Sequence, residues 1–314
     1  MIATTEIPED RAMPALARIH DVGLARAIPA LRLGDGEVEL TLRGFSPGLR
    51  ATLEARAGGR RFAVKIYADD PSDEAGLYQS LALAGLAGGS GARVPPLLAW
   101  ERELRVLVIG WLEGPTAQQL IENGQGQRAG ELAATWFQRI ARLPLKLGPP
   151  FGAPRMLHRG RKWAAKLALA EAQLGRAATA LIETLAQTEP EERATHLVHG
   201  TFYARHLLDL GDGPGVIDWQ RFAQGPLELD AGMFLATLWR LGRPQASLAA
   251  EAARAENSFI AGTSGLMDAR SLAWHRAAAL LRLAEKTAAH RGENWLARAG
   301  ALLAEAARLA QAAG

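Results

Sequence analysis

The sequence predicts an α+β fold in which a small β-rich N-terminal part precedes a larger, mostly helical one. Three observations predict it. Between Val38 and Trp111, short apolar runs alternate with polar residues and are separated by glycine-rich or charged turns, the period-two pattern of half-buried strands. From Gly114 onward, apolar residues recur at helical spacing over long segments. A single island near residues 197–218 breaks that helical stretch with short apolar strands. The domain boundary is read between residues 1–112 and 113–314.

The first strands are read at residues 38–43, 50–56 and 61–67, with Gly58-Gly59 as the hairpin turn between the last two. Asp70-Pro71 opens a helix, since Asp caps, Pro suits the first turn, and Asp73 and Glu74 complement the positive helix end. That helix is expected to reach about Leu86 and to stop in Ala87-Gly88-Gly89-Ser90-Gly91. Strands at 97–101 and 105–111 follow, joined by a charged turn. Helices are read at 130–143, 161–187, 227–241, 245–261, 269–290 and 294–312. Within the island, residues 197–198, 207–210 and 215–218 are strands, the last two separated by Gly211-Asp212-Gly213-Pro214.

Apolar residues make up 48% and charged residues 22% of the chain, the balance of a globular protein rather than a disordered one. No apolar run approaches the roughly 18 residues needed to span a bilayer. Residues 1–11 carry acids and a proline where a leader peptide would be basic and then apolar, so a cytoplasmic protein with no membrane partner is expected. Cysteine is absent, which excludes disulfides, thiolate metal sites and cysteine nucleophiles. A net charge of +3 permits phosphate-rich partners, but no nucleic-acid reader motif is present and nucleic acid is not an expected partner. Lysine occurs only at 65, 146, 162, 166 and 286, so Lys65 stands alone in the N-terminal part.

The island reads Leu197-Val198-His199-Gly200-Thr201-Phe202-Tyr203-Ala204-Arg205-His206, then Gly215-Val216-Ile217-Asp218-Trp219, with Gly225-Pro226-Leu227-Glu228-Leu229-Asp230 downstream. It resembles the aminoglycoside phosphotransferase and choline kinase branch of the protein-kinase-like superfamily. That branch carries His-Gly-Asp-x-x-x-x-Asn on a catalytic loop, an Ile-Asp-Trp or Ile-Asp-Phe strand end, and a Gly-Asp-Pro-x-x-Asp-Leu segment. The resemblance implies a bilobal kinase-like fold that binds ATP and Mg²⁺ between its lobes, near Lys65, the hinge and Asp218. Phosphoryl transfer needs the γ-phosphate positioned, its charge neutralised and a hydroxyl oriented.

Residue by residue, the resemblance makes Asp218 the metal-binding carboxylate, a hard oxygen ligand suited to Mg²⁺. The alternative is an aspartate that caps a turn after the strand. Lys65, in Phe62-Ala63-Val64-Lys65-Ile66-Tyr67, resembles the phosphate-binding lysine, against the alternative of an exposed strand lysine. Glu74 is its expected partner, with Asp73 as the alternative. Gly48, in Gly44-Phe45-Ser46-Pro47-Gly48-Leu49-Arg50, lies where the family places a loop over the phosphates. Trp111, Leu112 and Glu113 resemble the hinge whose backbone holds adenine.

The pattern breaks at two positions. Thr201 stands where the family has its catalytic aspartate, and His206 where it has a metal-binding asparagine. A threonine cannot accept a proton at neutral pH. His206 can ligate a metal, although imidazole suits transition metals better than Mg²⁺. Candidate substitute bases are His206, Asp209 and Tyr203. His199 is expected to brace the loop, and a zinc cluster of His196, His199 and His206 is a weaker alternative. The basic run Arg155, His158, Arg159, Arg161, Lys162 and Lys166 is read as a solvated helix face in preference to an anion-receiving one. Trp136, Trp163, Trp239 and Trp274 are read as core. Two functions remain open: an atypical ATP-dependent phosphotransferase acting on a small hydroxyl-bearing molecule, or a pseudokinase that binds nucleotide or a protein partner without transferring phosphate.

Overall fold

The structure, a computed structural model, describes residues 7–34, 36–192 and 194–312. Residues 1–6, which carry part of the leader reading, lie outside the described residues. The chain forms two units, Met1–Glu113 with Gly215–Ile217, and Gly114–Pro214 with Asp218–Gly314. Among the described residues no helix is long and apolar enough to cross a membrane.

The N-terminal unit opens with helices absent from the sequence reading. Pro14–Val22 (α1) begins with proline in its first turn, buries Ala15, Leu16 and Ile19, and is followed by the short Leu24–Ala27 (α2). Strands Val38–Ser46 (β1), Arg50–Ala57 (β2) and Arg60–Tyr67 (β3) come next, then Ser72–Leu83 (α3), Leu97–Glu101 (β4) and Val106–Gly110 (β5). They form one sheet in the order β1-β2-β3-β5-β4, antiparallel at every pairing. Period-two alternation places Leu53, Ala55, Phe62, Val64 and Ile66 in a core shared with Met13, Leu16 and Ile19. The other face of β2 and β3 carries Glu54, Arg61 and Lys65, with Lys65 in register with Thr52 and Leu107. The expected end of α3 near Leu86 is corrected to Leu83. Gly85, at φ +80, ends the helix as Gly85 N–H bonds to the Ala82 carbonyl and Leu86 N–H to the Leu81 carbonyl, a Schellman motif that satisfies the last carbonyls.

The second unit holds Ala117–Glu122 (α4), Gly126–Ile140 (α5), Ala153–Ala170 (α6) and Ala172–Gln187 (α7). The strands His196–Val198 (β6), Leu207–Asp209 (β7), Pro214–Val216 (β8) and Ala223–Gly225 (β9) follow along the chain, Gly215 and Val216 of β8 being grouped with the first unit. Leu227–Gly242 (α8), Ala246–Gly262 (α9), Ala269–His290 (α10) and Trp295–Ala312 (α11) complete the chain. The single helix expected at 161–187 is two. Glu171 adopts extended backbone (φ −160, ψ 123), and its carboxylate accepts the Gln173 N–H, which caps α7. No glycine or proline marks that break. The core gathers α6, α7, α8, α10 and α11 around fully buried Trp274, whose indole N–H donates to the Leu185 carbonyl at 2.8 Å. Trp136 and Trp163 are also buried, and Trp239 packs partly buried against this core.

Candidate functional site

On the polar face of the N-terminal sheet, the Lys65 ammonium pairs with Glu74 in the first turn of α3, and the Tyr67 hydroxyl donates to the other Glu74 oxygen at 2.7 Å. Helical period decides the partner. Glu74 shares the inward face of α3 with Ala75, Leu77, Tyr78 and Leu81, whereas Asp73 is exposed. Lys65 and Glu74 are both buried, so the pair is shielded from screening by salt.

Two strand positions away lies Glu54, fully enclosed. Burial alone would raise its pKa, but hydrogen bonds from Arg61, Arg56 and Arg43 outweigh that and lower it to about 2. Those bonds measure 2.7, 2.8 and 2.6 Å. Arg61 also stacks 4.1 Å from the Trp111 ring centroid and donates to Glu113 at 2.6 Å. Trp111 N–H bonds to the Arg61 carbonyl, and Leu112 is half-buried. Gly48, in the β1–β2 turn at φ +68, donates its N–H to Asp10 at 2.6 Å.

In the second unit the segment after β6 is built around Gly200. Its φ is +74, and a Cβ there would lie 2.2 Å from the Arg221 carbonyl oxygen, so only glycine fits. Asp230, in the first turn of α8, accepts the backbone N–H groups of His199 and Gly200 and is also hydrogen-bonded by the Phe202 backbone. His199 is fully buried, 4.9 Å from the Trp219 ring. Its Nδ1 accepts from the Thr201 backbone N–H at 3.3 Å and lies 3.3 Å from the Thr201 hydroxyl. Thr201 is itself buried.

His206 closes the loop. Its Nδ1 donates to the Thr201 carbonyl at 3.0 Å. Burial, then the neighbouring His199, lowers its pKa to about 3 against the raising effect of Asp218, which leaves the ring neutral with its lone pair on Nε2. That nitrogen lies 3.5 Å from Asp218 Oδ2. Asp218 holds φ +66, a backbone state that costs a non-glycine residue energy and clusters at functional sites. Two lone-pair donors therefore face one another, an arrangement suited to a cation between them. Among the described residues no group of three or more His, Cys, Asp and Glu could hold a metal ion, so the zinc-cluster alternative finds no support. Asp209, read as a substitute base, is instead paired with Arg128 at 2.7 and 2.8 Å.

The basic run entering α6 divides. Arg155, His158, Arg161, Lys162 and Lys166 are exposed as expected, but Arg159 turns inward. It shares the Trp163 ring with Arg282, their guanidinium carbons 5.4 and 5.6 Å from the ring centroid. Burial and the nearby Arg282, Arg221 and Arg155 pull its pKa down to about 10. Arg282 donates to the Tyr203 hydroxyl at 3.3 Å. Nothing in the spacing of Arg159 and Arg282 announces that they meet. The role of Asp230 as the loop's clamp was also missed, although its segment was singled out.

The family model of the phosphotransferase enzyme family (APH) matches residues 41–269. This chain belongs to that family. Among solved structures, the choline/ethanolamine kinase family protein from Mesorhizobium loti is 18% identical, with 95% of this chain and 94% of that one covered at a TM-score of 0.60. A thermostable mutant of an aminoglycoside phosphotransferase, in ternary complex with AMP-PNP and hygromycin B, is 14% identical over 94% of this chain and 97% of that one, at 0.62. Spectinomycin phosphotransferase in complex with ADP and spectinomycin is 13% identical over 88% and 92%, at 0.54. At these identities the likeness is one of fold, and the fold is kinase-like. Comparison with curated protein sequences gave no match. Within the phosphotransferase family, this member places Thr201 and His206 at the two positions where the sequence resemblance expects aspartate and asparagine.

Proposed function

We propose that this phosphotransferase-family chain is an atypical ATP- and Mg²⁺-dependent enzyme acting on a small hydroxyl-bearing molecule. The single observation that carries the reading is the 3.5 Å approach of His206 Nε2 to Asp218 Oδ2, with the Nδ1 proton committed to the Thr201 carbonyl. In this reading His206 and Asp218 are the protein's metal ligands. A bound divalent cation would neutralise charge on the phosphates. Lys65, steadied by Glu74, is assigned to phosphate binding as a compact ammonium. Gly48 and the Trp111–Glu113 segment are assigned to the nucleotide, a role supported by the ADP and AMP-PNP complexes of the fold's relatives. Asp230 and His199 hold the loop rather than take part in proton transfer.

Thr201 supplies no base. Positioning and charge carry most of the catalysis in a loose phosphoryl-transfer transition state, and a missing base costs about 10² to 10⁴ in rate. The enzyme is therefore expected to be slow. A second reading, a pseudokinase that binds nucleotide or a partner without transfer, is favoured by the burial of the uncharged Thr201 against His199.

Thermal shift with ATP and either Mg²⁺ or Mn²⁺, followed by ADP release from wild type, Asp218→Ala and Thr201→Asp, tests both. Turnover in the wild type that disappears in Asp218→Ala supports the enzyme, and turnover confined to Thr201→Asp supports the pseudokinase. No shift at millimolar nucleotide with either ion overturns both readings.

A further inference from the structure

Beside the loop, the second unit contains a cavity of about 440 Å³ lined by the basic side chains Arg205, Arg240, Lys286 and Arg298 together with His290, with no carboxylate among the lining residues. Arg205 comes from the loop itself, Arg240 from the last turn of α8, Lys286 and His290 from the end of α10, and Arg298 from the start of α11. Arg205 stacks 4.4 Å from the Tyr203 ring centroid. The side chains of Arg240, Lys286 and Arg298 make no hydrogen bond or ion pair with the described residues. Arg240 is mostly buried, and burial together with Arg205 and Arg298 lowers its pKa.

An ordinary explanation covers part of this. Cations at the C-terminal ends of α8 and α10 complement the negative ends of those helix dipoles. It does not cover Arg298, which sits near the positive end of α11, a helix with no acidic residue in its first turn. Nor does it cover Arg205, carried on the loop toward the same cavity. Like charges gathered without counter-ions destabilise a fold by mutual repulsion, and a multiply charged anion is what removes that cost. The aromatic walls, Tyr203 and Trp295, and the cavity's size fit a small organic molecule rather than a bare ion.

We propose that this cavity is a binding site for a phosphate-bearing small molecule, held by Arg205, Arg240 and Arg298 and by the Lys286 ammonium. Guanidinium groups match phosphate oxygens two at a time, and a phosphate near neutral pH carries more charge than a single carboxylate. Tyr203 lines the cavity and packs edge-on against His206 with ring centroids 5.2 Å apart, so the ligand lies one aromatic ring from His206. The proposal stands on the cavity alone and does not require the chain to bind ATP or transfer phosphate.

The test is calorimetric titration of the full chain, free of nucleotide and divalent metal, with glycerol 3-phosphate, inorganic phosphate and succinate. Binding of glycerol 3-phosphate that weakens at least tenfold in Arg298→Glu and in Arg205→Glu, and persists in the double variant Lys65→Met with Glu74→Gln, which removes both charges of that buried pair, is expected. Both arginines are exposed, so their replacement should leave folding intact; unchanged circular dichroism and melting temperature confirm that. Inorganic phosphate is expected to bind more weakly than the ester. Loss of glycerol 3-phosphate binding in the Lys65→Met, Glu74→Gln variant, folded by circular dichroism, with retention in Arg298→Glu would place the anion at Lys65 and overturn the proposal. Succinate binding as tightly as the ester, or no binding of any probe to the wild type, overturns it as well.

Discussion

Asp230, in the first turn of α8, accepts the backbone N–H groups of both His199 and Gly200, with Gly200 N–H 2.9 Å from Oδ1. The Phe202 backbone bonds to the same carboxylate, so its two oxygens gather three backbone groups of the loop. Asp230→Ala leaves buried donors without an acceptor, at about 1 to 3 kcal/mol for each. Asp230→Asn turns an NH₂ group toward a donor and should also destabilise. Chemical denaturation should show both losses, and hydrogen exchange at residues 199–202 should speed up in each variant.

The buried Lys65–Glu74 pair predicts a different outcome. Removal of one partner strands a charge, which typically costs about 3 to 5 kcal/mol. Glu74→Gln should therefore lower stability by an amount of that order and weaken nucleotide binding, because the ammonium loses its anchor. Asp73→Asn, one residue away on the exposed side of α3, should change neither. Urea melts and ATP titrations of the two variants separate the roles.

Glu54 should make the N-terminal unit acid-sensitive. Its pKa is lowered from 4.5 to about 2 in the fold. The stabilisation is thus fully present above pH about 4.5 and is lost as pH falls through about 2. Because Glu54 is 1% exposed while Arg43 and Arg56 are half-exposed, screening trims the effect to on the order of 2 kcal/mol. Glu54→Gln should remove the pH dependence in this window, read as melting temperature against pH.

His275 acts in a higher window. It is fully buried in α10, both ring nitrogens lack a hydrogen-bond partner among the described residues, and burial lowers its pKa to about 3 from 6.5. Its contribution is present above pH 6.5 and declines as pH falls from there toward 3, since the unfolded chain protonates first. His275→Leu should leave stability at pH 7 equal or higher, because it removes unsatisfied polar atoms, and should flatten the decline between pH 6.5 and 5. A melting temperature that falls at pH 7 by more than a few degrees would show that the imidazole packs better than leucine there.

The residue patterns reached different depths in different places. The strands at 50–57 and 60–67 were legible because alternation and the Gly58-Gly59 turn act over a few residues. Helix α1 was not, since its apolar positions lie in a short segment next to an acidic one. The break at Glu171 was hidden because a glutamate in extended conformation looks, in sequence, like any other residue within a helix. At the loop, the substitutions Thr201 and His206 were plain from the motif, but the clamp on the loop was not, because Asp230 acts from α8.

The sequence by itself determined the order of chemistry-bearing residues along the chain: Lys65 on a β-run, the His-Gly-Thr loop, and Asp218 after an apolar strand. It also showed that Thr201, whose side chain cannot take a proton at neutral pH, stands where the family resemblance expects an aspartate. Tertiary structure decided that Glu74 rather than Asp73 holds Lys65, that the His206 lone pair faces Asp218, and that Arg205, Arg240 and Arg298 line one cavity. The reason is range: turns and periodicity act between neighbours along the chain, whereas burial and Coulomb interactions act between groups that only packing brings within a few ångströms.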